Sequence, residues 1–201
     1  LTGKKPTSLN FSAYYTRQTN SYYFYQKSDE YMEVAGIALG IGTRLKWPDD
    51  YFVLYNELSW QYYNLHNWNY NFLFSTGKSN NFSYKFSLNR NSTDQQIYPR
   101  SGSDMQFSVQ LTPPYSLFGK DKDYKNMTDQ EKYKVIEYHK WTFKGTLYTK
   151  LIGDLVLKTS ANFGYLGYYN RNWGYSPFEG FQLGGDGMSG YNTYGSEIIG
   201  L

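Results

Sequence analysis

The stretch MQFSVQLT, residues 105–112, alternates between apolar and polar residues without interruption. Its apolar positions are Met105, Phe107, Val109 and Leu111. Its polar positions are Gln106, Ser108, Gln110 and Thr112. A β-strand sends successive side chains to opposite faces, whereas a helix would bring Met105, Gln106 and Val109 to one side. The stretch therefore predicts a strand with one apolar and one polar face.

Six further stretches alternate in the same way. Their apolar positions are Leu9, Phe11, Ala13 and Tyr15; Ile37, Leu39, Ile41 and Leu45; Phe52, Leu54, Leu58, Trp60 and Tyr62; Phe82, Tyr84, Phe86 and Leu88; Trp141, Phe143, Leu147 and Leu151; and Leu155, Leu157, Ala161, Phe163 and Tyr165. Most of the predicted strands run for roughly 9–14 residues, and a tilted strand needs about 9–11 to cross a bilayer. Strands of soluble proteins average only about 5–6 residues. The pattern predicts about seven membrane-spanning antiparallel strands.

Short and long connections alternate between these strands. Short turns are predicted at 47–50, 94–103 and 152–154, and long polar connections at 18–30, 66–80, 113–137 and from Tyr169 to the end. Outer-membrane barrels have short periplasmic turns and longer extracellular loops. We therefore expect the short turns on the periplasmic side and the long connections outside the cell.

Charged residues within the strands indicate which face meets lipid. A lysine or arginine at the bilayer midplane costs about 2–4 kcal/mol on the lipid face. The charged positions Arg44, Glu57, Lys85, Lys144, Lys150 and Lys158 all fall on the polar faces, which we expect to line the lumen.

Aromatic residues cluster near the predicted strand ends, as in the two girdles of membrane barrels. One cluster comprises Trp47, Tyr51 and Phe52, and the other Tyr165, Tyr168, Tyr169, Trp173 and Tyr175. The alternative is a soluble two-sheet sandwich. Its strands would be shorter, and its connections would not alternate so regularly in length.

Composition excludes several other classes of protein. The 201 residues include 24 Tyr and no Cys, and the net charge is +3. The mean hydropathy of −0.69 and the absence of a long apolar run exclude a transmembrane helix but not a barrel. Without cysteine there is no disulfide framework or thiolate metal site. The small, scattered positive charge gives no reason to expect a nucleic-acid partner.

A sheet of about seven strands cannot stand alone in lipid, because every backbone donor and acceptor there needs a partner. We therefore expect a partial barrel, whose other strands lie before Leu1 and after Leu201 or come from another copy of the chain. No signal peptide opens the sequence, and its first residues resemble a turn in mid-protein. The expected location is the bacterial outer membrane.

Catalytic and metal-binding constellations are missing from the sequence. His66 and His139 are its two histidines, both at predicted strand ends, whereas a zinc site needs several close ligands. Asp121 and Asp123 lack the glycine and glutamate spacing of a calcium loop. We expect no enzymatic activity and no cofactor. Thr128-Asp129-Gln130-Glu131 has the form of a capping box and predicts a short helix on the long loop.

Two segments are more specific. The first is a turn with Asp94 and the run Tyr98-Pro99-Arg100-Ser101-Gly102. The second is a Gly-rich loop, residues 169–201, containing Phe181-Gln182-Leu183-Gly184-Gly185. A Gly-rich loop of this length is uncommon unless it is functional or disordered. We expect it to fold back into the lumen, where the small residues Gly36, Ala38, Gly40 and Gly42 would leave room.

These segments resemble the BamA family of outer-membrane protein assembly factors, in particular its Bacteroidota form, within the surface-antigen and POTRA-barrel superfamily. In that family Asp94, Tyr98, Pro99 and Gly102 would form a periplasmic turn motif. Phe181, Gly184 and Gly185 would open the loop that enters the lumen. The family's Arg-Gly-aromatic motif would follow Leu201 and matches no residue here. The strand ending Gln110-Leu111-Thr112-Pro113-Pro114-Tyr115 is also similar to that family.

The resemblance covers essentially the whole chain, residues 1–201, as about seven middle strands of a sixteen-stranded barrel. It implies folding and insertion of nascent outer-membrane proteins, with accessory lipoproteins and outer-membrane lipid as further partners. It also implies POTRA domains upstream and a seam between the first and last strands, where a weakly paired edge would template incoming strands. The alternatives are a two-partner secretion transporter, which exports a polypeptide, and an unrelated porin or nutrient receptor.

Overall fold

Seven alternating stretches become seven strands in the computed structural model, which describes residues 7–19, 29–68, 74–118 and 126–181. The strands are β1 (Thr7–Thr19), β2 (Tyr31–Arg44), β3 (Phe52–His66), β4 (Gly77–Asn91), β5 (Gly102–Leu111), β6 (His139–Lys150) and β7 (Val156–Gly167). They form one antiparallel sheet in chain order, with β1 and β7 at its edges. The helices are α1 (Tyr115–Phe118) and α2 (Asp129–Lys132). The predicted all-β class and strand number are confirmed.

The register brings the apolar positions of neighbouring strands together. Leu58 pairs with Leu39 of β2 and Tyr84 of β4. Phe107 pairs with Leu88 of β4 and Phe143 of β6. Residues that pair directly across antiparallel strands share one face. The sheet therefore has a predominantly apolar face, which we call the outward face. Asn56 of β3 also lies on it and accepts a hydrogen bond from the Tyr84 hydroxyl.

The opposite face collects the polar positions, as predicted. Glu57 pairs with Lys85, and Gln106 pairs with Lys144. Hydroxyl groups also meet there, since the Oγ atoms of Ser59 and Ser83 lie 2.8 Å apart. We call this the lumen face, because charges are far less costly toward water than toward lipid.

The outward face of β4 has polar residues only at its borders. Phe82, Tyr84, Phe86 and Leu88 point outward between Asn80 and Arg90. Ten residues at about 3.3 Å each, tilted by about 40°, give roughly 25 Å, the height of the apolar band of a membrane barrel. None of the described helices is long and apolar enough to cross a membrane.

Arg90 is a charged residue on the outward face and was not among the charged positions predicted from the sequence. Its guanidinium contacts the Asp49 carboxylate at 2.9 Å and donates to the Ser92 and Ser103 hydroxyls at 2.8 and 2.7 Å. It also lies over the Tyr51 ring, 5.6 Å from the centroid. Arg90 therefore ties the turn before β3 to the turn after β4, at the border of the apolar band on the side of the short turns.

The connection between β3 and β4 is shorter than predicted. Residues 66–80 were expected to form a long loop, but β3 continues to His66 and β4 begins at Gly77. Leu65 still pairs with Gly77 and Asn64 with Lys78. Strands can be polar on both faces once they rise above the apolar band, so composition alone misplaced this boundary.

A small core lies under the extracellular connections. Leu65, Phe74, Tyr133 and Trp173 pack together and are buried. The placement of Trp173 in an aromatic girdle was wrong, because its ring is enclosed by the loops. The capping box of α2 is confirmed: the Thr128 side chain accepts from the Glu131 backbone N–H, and the Glu131 carboxylate binds Thr128 in return.

Candidate loop-anchoring site in the lumen

The chain that leaves β7 crosses the extracellular end of the sheet toward β3. A tight turn begins it, in which the backbone N–H groups of Trp173 and Gly174 both donate to the Asn170 carbonyl. Gly174 adopts a φ of +78°, which glycine tolerates best. Further on, the Phe178 ring stacks on Tyr63 of β3 at a centroid distance of 4.4 Å. Residues 168–181 therefore cover part of the lumen mouth.

Glu179 then attaches this segment to the lumen face. The Nζ atom of Lys140 donates to the Glu179 carboxylate at 3.0 Å and to the Gly180 carbonyl at 2.9 Å. The Tyr138 hydroxyl donates to the other carboxylate oxygen at 3.0 Å. The Lys140 and Glu179 side chains are only 20% and 15% exposed, so the ion pair is largely shielded from water.

Phe181 makes a second attachment on the same wall. An added Cβ at Gly164 of β7 would lie 2.6 Å from the Phe181 ring, so only glycine leaves room for the ring. The Lys140 ammonium lies 4.9 Å from the centroid of the same ring. We use the name loop anchor for Tyr138, Lys140, Gly164, Glu179 and Phe181.

A polar network holds Tyr138 in position. Gln110 of β5 and Asn81 of β4 both donate to its hydroxyl, at 2.7 and 3.4 Å. Gln110 also donates to Ser83, and Asn81 to Gln61 of β3. Because the Tyr138 oxygen accepts from these amides, its own proton is directed to Glu179. The loop anchor is thereby connected to three strands besides β6 and β7.

The prediction that the small residues of β2 leave free space for a plug is wrong. A Cβ at Gly36 would meet the Tyr14 ring from β1, and one at Gly40 would meet the Tyr55 ring from β3. The Tyr14 hydroxyl accepts from Gln61 at 2.7 Å. Neighbouring tyrosines therefore already fill the room above β2.

The described part of the chain brings only one predicted lumen-loop residue to this site. Phe181 lies in the loop anchor, whereas Gly184 and Gly185 lie outside the described residues. Tyr138, Lys140 and Glu179 were missed. Each resembles an ordinary interfacial or solvated side chain in the sequence, and Lys140 and Glu179 are 39 residues apart.

The predicted periplasmic turn motif forms a compact turn between β4 and β5. The Asp94 carboxylate accepts from the backbone N–H groups of Arg100 and Ser101 at 3.0 and 3.3 Å. Gly102 has a φ of +102°, and a side chain there would collide with the Ser92 carbonyl. Tyr98 adopts a φ of +54° and is exposed, next to Pro99. The role of this motif in assembly stays a prediction.

Electrostatics reinforce the turn. Desolvation opposes ionisation of the exposed Asp94, but the hydrogen bonds from the Arg100 and Ser101 backbone outweigh it and lower the pKa of the carboxyl. The Arg100 side chain reaches Asp154, in the turn between β6 and β7, at 3.2 Å. The turns on this side of the sheet are thus connected pairwise.

In the described residues, no three His, Asp or Glu side chains are grouped to hold a metal ion. His66 stacks on Tyr31 at the end of β3. His139 contacts Tyr165 and Tyr169 at the start of β6. The two histidines are therefore aromatic neighbours at strand ends.

Comparison with known proteins shows the family of the chain and a solved structure of similar fold. A family model described as the Omp85 superfamily domain matches residues 1–196. The chain is also similar to the crystal structure of BamA from Haemophilus ducreyi lacking POTRA domains 1–3, with a TM-score of 0.65 and 19% identity. That match covers 92% of this chain and 34% of the solved one, so the chain spans about a third of its length. None of the curated proteins compared with the chain matches it.

Proposed function

The chain belongs to the Omp85 superfamily, and from that premise we propose that it forms part of a barrel that folds and inserts nascent outer-membrane proteins. It does so without covalent chemistry and without a cofactor. Its partners are unfolded barrel proteins, outer-membrane lipid and accessory lipoproteins. The outer-membrane β-barrel character of the sheet supports this location and these partners.

The observation that carries the proposal is the loop anchor. A porin keeps its lumen open for solutes, whereas here Glu179 and Phe181 attach a loop to the lumen face. Phe178 also stacks the same loop on Tyr63 of β3, four strands away from β7. A loop fixed to the lumen face leaves less room for solutes to diffuse through a barrel, which favours a function at the barrel wall.

The role of these seven strands in insertion is mechanical. Each strand pairs with the next over 8–14 residue pairs, and no described neighbour pair is interrupted. A client strand that adds to a barrel by backbone hydrogen bonding needs a weakly paired edge strand to bind to. The remaining strands of the barrel must then stay firmly paired. We propose that this sheet supplies those firmly paired strands and that the loop anchor keeps the loop in position.

Polypeptide export is the second candidate, and one observation favours it. Lys144, Lys150 and Lys158 line the lumen face and form no ion pair with another described residue. Such a cationic wall would attract acidic segments of a passing chain. This is the activity of the two-partner secretion alternative.

Depletion of the full-length protein distinguishes the candidates. The measurement is quantitative proteomics of isolated outer membranes during depletion, with a plasmid copy as the control. An insertase predicts that many unrelated barrel proteins decline together while lipoprotein levels hold. Loss of one exported polypeptide or of one solute's uptake, with other barrels unchanged, would overturn the proposal.

The loop anchor is tested in the same system by complementation. A plasmid copy carrying Glu179→Gln should restore barrel assembly poorly, because it loses the ion pair to Lys140. Lys150→Gln removes a lumen-face charge without touching the anchor and should complement fully. Site-specific crosslinking from the full-length protein should capture unfolded barrel proteins if they are clients.

A further inference from the structure

The helical turn α1 carries two exposed apolar side chains on an extracellular connection. Leu117 is 55% exposed and Phe118 is 77% exposed, whereas Ser116 between Tyr115 and Leu117 is buried. Single exposed apolar side chains scattered over a surface are common. Two that are held in place beside a larger apolar surface extend that surface and indicate a site of interaction. The position of α1 relative to the apolar band therefore matters.

Hydrogen bonds hold α1 rigidly against the sheet. The backbone N–H and the hydroxyl of Ser116 both donate to the Glu137 carboxylate, at 2.7 and 2.6 Å. Glu137 is fully buried. Just before α1, the Thr112 hydroxyl donates to the Tyr138 carbonyl at 3.0 Å and accepts from the Tyr138 N–H. The segment from the end of β5 to α1 is therefore held at both of its ends, at Thr112 and at Ser116.

Strand alternation gives the side of the sheet on which α1 lies. Tyr138 points to the lumen, where its hydroxyl meets Gln110. The backbone N–H of Thr112 donates to the Tyr138 carbonyl, which continues the β5–β6 pairing one residue beyond β6. Both neighbours of Tyr138, Glu137 and His139, therefore point outward. Because Ser116 is bound to Glu137, α1 rests on the outward side. In a helix successive residues are about 100° apart, so Phe118 faces away from the buried Ser116.

The height of α1 coincides with the extracellular border of the apolar band. Leu111 pairs with Tyr84, so the chain two residues further on, at Pro113, is level with Phe82. Phe82 is the last apolar outward residue of β4 before Asn80. Pro113 also lines a shallow outward groove together with apolar side chains of β2 to β5. The apolar surface is thus continuous from the strands to the foot of α1.

We propose that α1 is an interfacial anchor, which places Leu117 and Phe118 among the acyl chains of the outer leaflet. The occupant of this surface is lipid, because the surface continues the lipid-facing band and Glu137 fixes its direction. The buried Glu137 clamp prevents α1 from turning these side chains back onto the protein. This inference depends on the outer-membrane location and not on insertase activity.

Spin-label accessibility tests the proposal on the full-length protein in liposomes of bacterial phospholipid. A nitroxide is attached to cysteine in the variants Phe118→Cys and Leu117→Cys, with Gln130→Cys on α2 as the matched control on the same connection. The 201-residue chain has no cysteine of its own. Gln130 is exposed and lies on the second helix of the connection.

The label at 118 should be more accessible to oxygen than to a water-soluble nickel complex, and the label at 130 should show the reverse. Leu117 should give the same sign as Phe118. Nickel accessibility at 118 equal to that at 130 would overturn the proposal. A label at 118 that neither agent reaches would also overturn it, because a protein partner would then cover the surface.

Discussion

The ion pair between Lys140 and Glu179 shows how single residues determine the path of a long loop. Both side chains are largely shielded from water, and Tyr138 adds a third hydrogen bond to the carboxylate. A shielded carboxylate that loses its cation keeps its desolvation cost. Such pairs join residues distant in the chain, so composition and spacing gave no indication of this one.

Glu179→Gln should loosen the loop without unfolding the sheet. The variant removes the charge that Lys140 and Tyr138 bind, at a cost of about 1.5–3 kcal/mol. Hydrogen exchange of the backbone amides of residues 175–181 other than Pro177, in the full-length protein, measures the free energy of local opening. Lys150→Gln is the control, since no ion pair joins Lys150 to another described residue. Unchanged protection in Glu179→Gln would show that the anchor does not hold the loop.

Glu137 gives the α1 connection a dependence on pH. Burial raises the pKa of its carboxyl above the ordinary value of 4.5, although hydrogen bonds from Ser116 oppose the shift. The folded connection therefore binds the proton more tightly than the open one. Its extra stability is complete below about pH 4.5 and is lost as the pH rises through the raised pKa.

We expect the α1 amides to open more often as the pH rises from about 4.5, after correction for intrinsic exchange rates. Glu137→Gln should remove most of this dependence, because a glutamine does not titrate. Hydrogen exchange at Ser116 and Leu117 measures the opening. A wild-type opening free energy that is flat or increases with pH would be inconsistent with a raised pKa.

Strands are the scale at which the sequence was most informative. The stretch 105–112 predicted β5 because every position in it agrees with one alternation, although the strand begins three residues earlier, at Gly102, and ends one residue earlier, at Leu111. The β3–β4 connection was misplaced because Lys78, Ser79 and Asn80 are polar on both faces yet still pair in β4. Alternation is informative only where one face meets lipid. Above the band, backbone pairing alone determines where a strand ends.

The two faces of β3 should respond differently to the same substitution. Leu58→Lys places an ammonium on the outward face near the middle of β3, where the cost is about 2–4 kcal/mol. Ser59→Lys places it on the lumen face and should cost only about 1 kcal/mol, mainly from its lost hydrogen bond to Ser83. Equilibrium folding of the full-length protein into bilayers measures both. Equal costs would contradict the assigned faces.

The periplasmic turns give a second comparison at this scale. Gly102→Ala should destabilise the protein by about 1–3 kcal/mol, since φ is +102° and the new side chain would meet the Ser92 carbonyl. Gly153→Ala is the control, with a φ of +56° and no atom within 4 Å of the new side chain. It should cost about 1 kcal/mol. Urea unfolding midpoints in lipid vesicles compare them, and equal midpoints would contradict the crowding at Gly102.

Over the whole molecule, the fold class was predictable and the contents of the lumen were not. Alternation, strand length and connection length together imply a membrane sheet, and seven neighbouring strands confirm it. The loop anchor depends on contacts from Tyr138 and Lys140 to Glu179, which involve single residues rather than a period. Trp173 was misplaced for the same reason, because aromatic residues suit both a girdle and a small core.

The assignment of one face to lipid and the other to water underlies every functional inference about this sheet. Single-cysteine variants at each position from Met105 to Thr112, spin-labelled in the full-length protein in liposomes, test it most directly. We predict oxygen accessibility at 105, 107, 109 and 111, and exposure to a water-soluble nickel complex, or shielding from both agents, at 106, 108, 110 and 112. Nickel accessibility on both faces, or a period near 3.6 residues, would contradict a membrane-spanning barrel wall.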